Sequence, residues 1–457
     1  MAKNIRLSDH FTYSKLLRFT LPSICMMVFT SIYGVVDGLF VSNFVGKTPF
    51  AAINLVMPFV MILGGMGFMI GTGGTALVSK LLGEGKDDEA QQAFSMMVLF
   101  TLLLGLVLSA VGIAAMPVVS RFLGATDAMM SDCVLYGRIV TGFTFAFMLQ
   151  NVFQSFFIAA EKPRLGLLVT VAAGVTNMVL DALFIAVLRW GVAGAAIATV
   201  IGQICGMLLA AYFNVKKNTD ITLRVKGFRP DWRLIGSIYA IGLPSVIMMA
   251  IGSVMTFLMN KILITYHSAH ETAATAFGVY FKLNSFIFMP IFGLNNGVIP
   301  IVAYNYGAQN RRRMMATIKR STLYACCIMV FGTVLFWAIP DTLLRLFDAS
   351  DVMLAAGVPA LRIISLSFCM AGACIALGSS FQALGKSMYS MITSIVRQLV
   401  FLIPIAYVLA RYGASVGNSD LVWWSYPIAE VFSLTLTLVF FSRMYKTIIA
   451  PLPEGHE

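Results

Sequence analysis

The sequence Leu21-Pro22-Ser23-Ile24-Cys25-Met26-Met27 returns 222 positions later as Leu243-Pro244-Ser245-Val246-Ile247-Met248-Met249. Further matches follow at a shift of 224 positions, where Gly73, Gly83, Arg121, Asp127, Arg138 and Lys162 recur as Gly297, Gly307, Arg345, Asp351, Arg362 and Lys386. Because the shift is nearly constant along several apolar segments, it indicates an internal duplication rather than a chance match. The repeat divides the chain into an N-terminal lobe (residues 1–215), a polar linker (216–233) and a C-terminal lobe (234–457).

The composition indicates that both lobes lie in a membrane. Of the 457 residues, 59% are hydrophobic and only 11% are charged, whereas a soluble domain carries about 25% charged residues. The mean hydropathy is +0.86. We therefore predict an all-α polytopic membrane protein with twelve transmembrane helices, near residues 17–44, 50–80, 93–120, 134–158, 165–188, 191–214, 235–266, 274–305, 317–345, 355–382, 389–410 and 421–445.

The number of spans and the distribution of charge predict the topology. Six spans in each lobe return the chain to the same side, so the two bundles form parallel repeats related by a pseudo-two-fold axis, as is typical of transporters. Lysine and arginine are concentrated in the loops on one side, which the positive-inside rule assigns to the cytoplasm together with both termini. The net charge of +12 is therefore a topology signal and does not indicate nucleic-acid binding.

Pro22 and Pro244 stand near the start of the first predicted helix of each lobe. A proline removes one backbone hydrogen bond and permits a helix to kink. We predict a kink at each position, although proline is also tolerated in transmembrane helices without any special role.

Two acidic residues of the N-terminal lobe, Asp37 and Asp181, lie well inside predicted spans. A charged side chain at the centre of a bilayer costs about 2.5–3.5 kcal/mol, so each needs a partner or a function. Asn177 shares a helical face with Asp181, and the helix directions predict Tyr136 and Thr199 at the same depth. Such oxygen atoms suit a proton or a small cation such as Na⁺. The alternative is that the carboxyl groups only form hydrogen bonds between helices.

The C-terminal lobe carries a different set of polar residues inside its predicted spans. The repeat places Met259 opposite the helix-1 carboxylate, so that acid is not duplicated. Instead the lobe contains Lys282, Arg397, Gln398 and Glu430. Glu430 could pair with Arg397 or Lys282 as a structural ion pair, or the group could face a substrate cavity.

The sequence contains no nucleophile elbow, zinc-protease motif or nucleotide-binding loop, so we expect neither an enzyme nor a cofactor. His267-Ser268-Ala269-His270-Glu271 lies on a predicted outer loop, where it could bind a metal weakly. A solvated loop is the favoured interpretation.

Several motifs together resemble the multidrug and toxic compound extrusion (MATE) family of the MOP flippase superfamily, especially its bacterial MepA-like branch. The resemblance covers nearly the whole chain. It is carried by the two Leu-Pro-Ser motifs and, in order, by Gly83-Glu84-Gly85-Lys86, Asn177-Met178-Val179-Leu180-Asp181, Gly194-Ala195-Ala196-Ile197-Ala198-Thr199, Pro300-Ile301-Val302-Ala303-Tyr304-Asn305-Tyr306-Gly307, Arg397-Gln398 and Ala429-Glu430.

The resemblance implies a monomeric, multi-pass exporter of the bacterial plasma membrane, which antiports lipophilic and often cationic small molecules against H⁺ or Na⁺. It assigns ion coupling to Asp37 and Asp181, with Tyr136, Asn177 and Thr199 as supporting ligands. Helix 7 lacks the carboxylate of the sodium-coupled branch, which argues against a cation site there. The alternative is a lipid-linked precursor flippase of the same superfamily. Those proteins line their cavity with basic residues, whereas three acids and two bases lie within the spans here.

Overall fold

The computed structural model describes residues 4–216, 223–224 and 229–456, and it contains helices but no strand within these residues. Ten helical segments of this part are long and apolar enough to cross a membrane, and two bent helix pairs raise the number to twelve. The prediction of an all-α membrane protein with twelve spans is confirmed. Most of the predicted linker, residues 217–222 and 225–228, lies outside the described residues.

Helices of the first repeat are long because apolar runs can satisfy every backbone polar group within one helix. Their bounds are α1 (Tyr13–Phe44), α2 (Lys47–Gly83), α3 (Asp87–Phe122), α4 (Asp127–Thr141), α5 (Thr144–Ala159), α6 (Pro163–Asp181) and α7 (Val192–Lys216). A π-helical segment, Ala182–Val187, directly extends α6.

Helices of the second repeat follow the same order with two additional breaks. Their bounds are α8 (Trp232–Tyr266), α9 (Glu271–Gly307), α10 (Arg311–Ala338), α11 (Pro340–Arg345), α12 (Asp351–Ser365), α13 (Phe368–Ala383), α14 (Ser387–Ile395), α15 (Ile403–Val416) and α16 (Ser425–Met444). A π-helical segment, Val396–Leu402, joins α14 to α15, a 3₁₀ segment, Ser419–Trp424, precedes α16, and a further π-helical segment, Tyr445–Ile449, follows it.

The large bends lie at positions that the sequence did not predict. The axes of α4 and α5 differ by 49° and those of α12 and α13 by 51°, at breaks that the 224-residue shift makes equivalent. α1 and α8 each continue as one helix through Pro22 and Pro244, and a kink within either helix stays a prediction. Because α1 begins at Tyr13 and α8 at Trp232, both prolines lie inside a helix rather than at its start. Prediction from proline alone missed the bends because residues 142–143 and 366–367 contain no proline.

The chain forms two compact units by its own internal contacts. The first unit comprises Met1–Asp9, Leu17–Val246 and Ala303–Ala308, and the second comprises His10–Leu16, Ile247–Val302 and Gln309–Glu457. The division falls inside α8 and not in the predicted linker. The reason is packing: Ile238 and Val246 of α8 belong to the same buried cluster as Met69, Phe94 and Phe156.

Candidate functional site

The five polar residues predicted in the N-terminal lobe come together in the first unit. They lie on four different elements, with Asp37 on α1, Tyr136 on α4, Asn177 and Asp181 on α6, and Thr199 on α7. The carboxyl groups of Asp37 and Asp181 are within hydrogen-bonding reach of each other. The Tyr136 hydroxyl is likewise within reach of the Thr199 hydroxyl. Four elements thus contribute to one cluster of oxygen atoms.

Asn177 connects the Asp181 carboxyl group to α7. With its amide nitrogen facing Asp181, Asn177 donates to Asp181 Oδ2 at 3.3 Å, and its oxygen accepts from the Thr199 backbone N–H at 3.2 Å. This orientation gives each end of the amide a complementary partner. The Thr199 hydroxyl donates to the Ala195 carbonyl at 3.0 Å, so Thr199 is itself held in place by its own helix.

Among the residues that the structure describes, no basic side chain acts on either carboxyl group. Asp181 is 0% exposed, and within the described part of the chain Oδ1 of both Asp37 and Asp181 is buried without a hydrogen-bond partner. Arg138 of α4 is a basic residue of the same unit, and its Nε donates to the Ile113 carbonyl at 3.2 Å. Two adjacent carboxylates repel each other in a medium of low dielectric constant, and a proton or a monovalent cation between them removes the repulsion.

Local backbone features position the two α6 side chains. A Cβ atom on Gly202 would lie 3.0 Å from the Ala173 carbonyl oxygen and 3.1 Å from Asn177 Cβ, so only glycine lets α7 approach α6 so closely at this point. The π-helical segment begins directly after Asp181. Such segments alter the direction in which neighbouring side chains project and are frequent at functional sites.

Tyr33 is a further member of the site that sequence analysis missed. It interacts electrostatically with Asp37 and precedes it by four residues on α1, so the two side chains share a helical face. The spacing was visible in the sequence, but many aromatic residues in an apolar helix have such a neighbour, and only the structure distinguishes this one.

The four polar residues predicted in the C-terminal lobe do not form one cluster. Arg397 Nη1 lies 3.5 Å from Glu430 Oε1, which pairs these two residues. Lys282 Nζ instead lies 5.9 Å from the centre of the Phe347 ring, so its suggested pairing with Glu430 is not observed. Gln398 donates from Nε2 to Ser394 Oγ of its own helical segment at 3.1 Å.

The loop between α8 and α9 differs from the solvated loop that we expected. His267 is 4% exposed, and its ring lies 5.9 Å from that of Trp423. The expectation is therefore wrong for His267, because the loop folds back onto the 3₁₀ segment that precedes α16. His270 is exposed.

The sequence and the fold both match proteins of known classes. Residues 22–183 and 244–408 match the MatE family. The multidrug export protein MepA of Staphylococcus haemolyticus (strain JCSC1435) is 26% identical over 442 residues, covering 95% of both chains. The protein of the same name from Staphylococcus aureus (strain MRSA252) is 24% identical over 92% of this chain and 91% of its own.

Solved structures match the fold over almost the full length. A MOP superfamily transporter from Pyrococcus furiosus Vc1 (DSM3638) superposes with a TM-score of 0.91 over 98% of this chain and 99% of its own, at 22% identity. A multidrug resistance MATE family transporter of the MOP superfamily, in an outward-facing conformation, superposes with a TM-score of 0.89 over 98% and 100%, also at 22% identity.

Both repeats of the chain are covered by the family match, and the matched residues include Asp37, Asp181 and Arg397. The match also covers more than half of the sequence. This protein belongs to the MatE family.

Proposed function

We propose that this protein exports lipophilic, cationic small molecules across a bacterial plasma membrane by antiport against H⁺ or Na⁺. The observation that carries the proposal is the contact between Asp37 and Asp181, two carboxyl groups without a basic partner among the described residues. The names of the staphylococcal relatives, which are multidrug export proteins, support the choice of substrate.

The chemistry of the cluster supports ion coupling. A proton or Na⁺ that enters between Asp37 and Asp181 neutralises one negative charge and removes their repulsion, and its release restores the repulsion. The free energy of the cluster therefore differs between the loaded and empty states. This difference in free energy can bias a conformational equilibrium. Asn177 and Tyr136 keep neutral hydrogen-bonding groups around the ion in both states.

The topology follows from the distribution of charge. The excess of lysine and arginine in the inner loops supports cytoplasmic termini. We further propose that a single chain is the working unit, since each chain contains both repeats and a complete set of the coupling residues.

Transport by purified protein in liposomes tests the proposal. A fluorescent lipophilic cation is loaded, and a pH gradient or a sodium gradient is imposed separately. We expect dye movement against its gradient with one of the two ion gradients, and we expect collapse of that gradient to stop it. Dye movement that ignores both gradients would contradict coupled antiport.

Substitution of the two carboxyl groups locates the coupling. We expect Asp37→Asn and Asp181→Asn each to abolish gradient-driven export while the protein still inserts and purifies in normal amounts. Asp351→Asn, which alters an exposed acid at the start of α12, serves as the matched control and should transport normally. Full activity of Asp37→Asn or Asp181→Asn would exclude the proposed site.

A further inference from the structure

The pair formed by Arg397 and Glu430 is held too weakly for a structural ion pair. A strong arginine–carboxylate pair makes two parallel hydrogen bonds at about 2.7–2.9 Å, whereas here one contact of 3.5 Å joins Nη1 to Oε1. Glu430 Oε2 is buried and has no hydrogen-bond partner within the described residues. The attraction within a buried ion pair repays its desolvation only when the geometry is good and the remaining lone pairs are hydrogen-bonded.

Burial differs between the two partners. The Glu430 side chain is 9% exposed and the Arg397 side chain 23%, so the carboxylate is the more deeply buried partner and the guanidinium the more accessible one. Arg397 also lies in the π-helical segment Val396–Leu402, where the regular helical hydrogen-bond pattern is altered. Arg397 is therefore the partner that can leave.

The surroundings of Glu430 suit an aromatic or lipophilic cation. Tyr426 lies one helical turn before Glu430 on α16, and its ring is 6.1 Å from that of Tyr280 and 6.3 Å from that of Phe277. Tyr280 also interacts electrostatically with both Glu430 and Arg397. A cation over such ring faces gains about 0.5–2 kcal/mol in addition to its attraction to the carboxylate.

The same face of α16 continues as a buried polar stripe. Ser433 is 0% exposed and Thr437 is 1% exposed, and they follow Glu430 at spacings that keep them on one side of the helix. The Ser433 hydroxyl reaches Cys374 Sγ at 3.8 Å, while Thr437 Oγ1 has no partner in the part of the chain that the structure describes. Glu430 is thus the one charged member of a polar face inside the second unit.

We infer that Glu430 is a binding site for the cationic group of a transported substrate, and that the Arg397 guanidinium is a resident counter-ion which the substrate displaces. The inference rests on the proposed export function and deepens it, because it names a substrate site in the second unit. It assigns Arg397 a role in specificity. A neutral ligand cannot compensate the negative charge of Glu430 after Arg397 leaves. Only a cation can therefore offset the free-energy cost of displacing Arg397.

Equilibrium binding of tetraphenylphosphonium to the purified full-length protein, without any ion gradient, tests the inference. Removal of the competing charge in Arg397→Gln should tighten binding about tenfold. Glu430→Gln should weaken it by at least about tenfold, and the double variant should resemble Glu430→Gln. Lys282→Gln is the matched control, since it removes a positive charge from the same unit at a position away from Glu430, and it should bind as the wild type does. Triphenylphosphine oxide, a neutral relative of the probe, should not respond to any of these substitutions.

A structural role gives a different pattern. If Arg397→Gln binds tetraphenylphosphonium equally or more weakly and Glu430→Gln binds it as the wild type does, the inference is overturned. If Arg397→Gln fails to fold, the Glu430→Gln result alone decides the inference. Arg397→Lys, which keeps the positive charge, then shows whether a folded variant at this position binds the probe as the wild type does. If the variants bind the probe as the wild type does and the wild type exports normally, only this inference is overturned. If the wild type binds the probe but does not export it, the proposed function is contradicted.

Discussion

Gly83 of α2 and Gly307 of α9 make equivalent contacts that the sequence repeat relates to each other. A Cβ atom on Gly83 would clash with the Tyr304 carbonyl oxygen, and one on Gly307 would clash with the Lys80 carbonyl oxygen. The shift of 224 residues converts each contact into the other. The C-terminal ends of the two helices therefore cross with their backbones touching, and glycine is required at both positions for a steric reason.

Alanine at either crossing glycine should destabilise the first unit. The clash is with backbone, which cannot rotate away, and overpacking of this kind costs about 1–3 kcal/mol. We expect Gly83→Ala and Gly307→Ala to lower the apparent melting temperature of the purified protein. Gly278→Ala on α9 is the control, because nothing lies within 4 Å of its Cβ position and alanine favours a helix. Equal melting temperatures for all three variants would show that the helices do not cross as described.

Neutralisation of one carboxyl group of the proposed coupling site should separate stability from transport. In Asp37→Asn the amide no longer repels Asp181, so we expect the apparent melting temperature at neutral pH to stay the same or rise while gradient-driven export is lost. Melting is followed by intrinsic fluorescence on the protein used for transport. A marked fall in melting temperature, with export lost only in proportion to unfolding, would indicate that the carboxyl pair is merely structural.

Asn177 should matter through its position between Asp181 and Thr199. Asn177→Leu keeps the branched shape of the side chain but removes both hydrogen bonds and leaves the buried Asp181 carboxyl group with fewer partners, which costs about 1–3 kcal/mol. We expect a lower apparent affinity for the coupling ion, measured as a shift in the ion concentration that gives half-maximal transport. Thr176→Val, on the same helix one residue earlier, is the control, since Thr176 donates to Ala172 and to Cys205 but not to the carboxyl pair. A normal ion dependence in Asn177→Leu would remove Asn177 from the site.

His267 should make the stability of the second unit sensitive to acid. Burial lowers the pKa of His267, and the neighbouring His270 acts in the same direction; Asp420, whose Oδ1 lies 4.0 Å from Nε2, does not reverse this. In acid the unfolded chain therefore binds a proton that the folded side chain does not bind. The free energy of unfolding should fall as the pH drops below about 6.5.

Comparison of melting temperatures at about pH 7.5 and about pH 5.5 measures this effect. We expect His267→Gln to lose less stability on acidification than the wild type loses. His270→Gln, which alters an exposed ring, should behave nearly as the wild type does. An acid response in His267→Gln equal to that of the wild type would show that this histidine titrates alike in the folded and unfolded states.

The C-terminal segment should stabilise the start of α10. The carbonyl groups of Pro453 and Glu454 accept from the backbone N–H groups of Arg311 and Arg312 at 3.2 and 3.0 Å, which are donors that a helix leaves unpaired at its first turn. Loss of such a cap costs about 0.5–2 kcal/mol. We expect deletion of residues 453–457 to lower the melting temperature, whereas Glu454→Ala, which breaks only the exposed ion pair with Arg311, should change it little. An intact melting temperature in the deletion would contradict a stabilising cap.

Much of the architecture could be predicted from local sequence. A bilayer requires each span to satisfy its own backbone, so the twelve spans are encoded by apolar runs that can be recognised one at a time. The duplication is equally visible, because Leu21-Pro22-Ser23 and Leu243-Pro244-Ser245 keep their spacing. Acidic residues such as Asp37 and Asp181 stand out for the same physical reason, since charge in an apolar segment is costly and needs a partner or a function.

Which residues meet was decided by the tertiary structure. The contact of Asp37 with Asp181, the separation of Lys282 from Glu430, and the burial of His267 all depend on how helices rotate and pack laterally, and hydropathy carries no information about rotation. The bends between α4 and α5 and between α12 and α13 arise without proline, so no residue type announces them. Sequence alone determined that this chain is a duplicated, twelve-span membrane protein with costly acids in its interior. Packing determined that two of those acids face each other while the third lies beside an arginine.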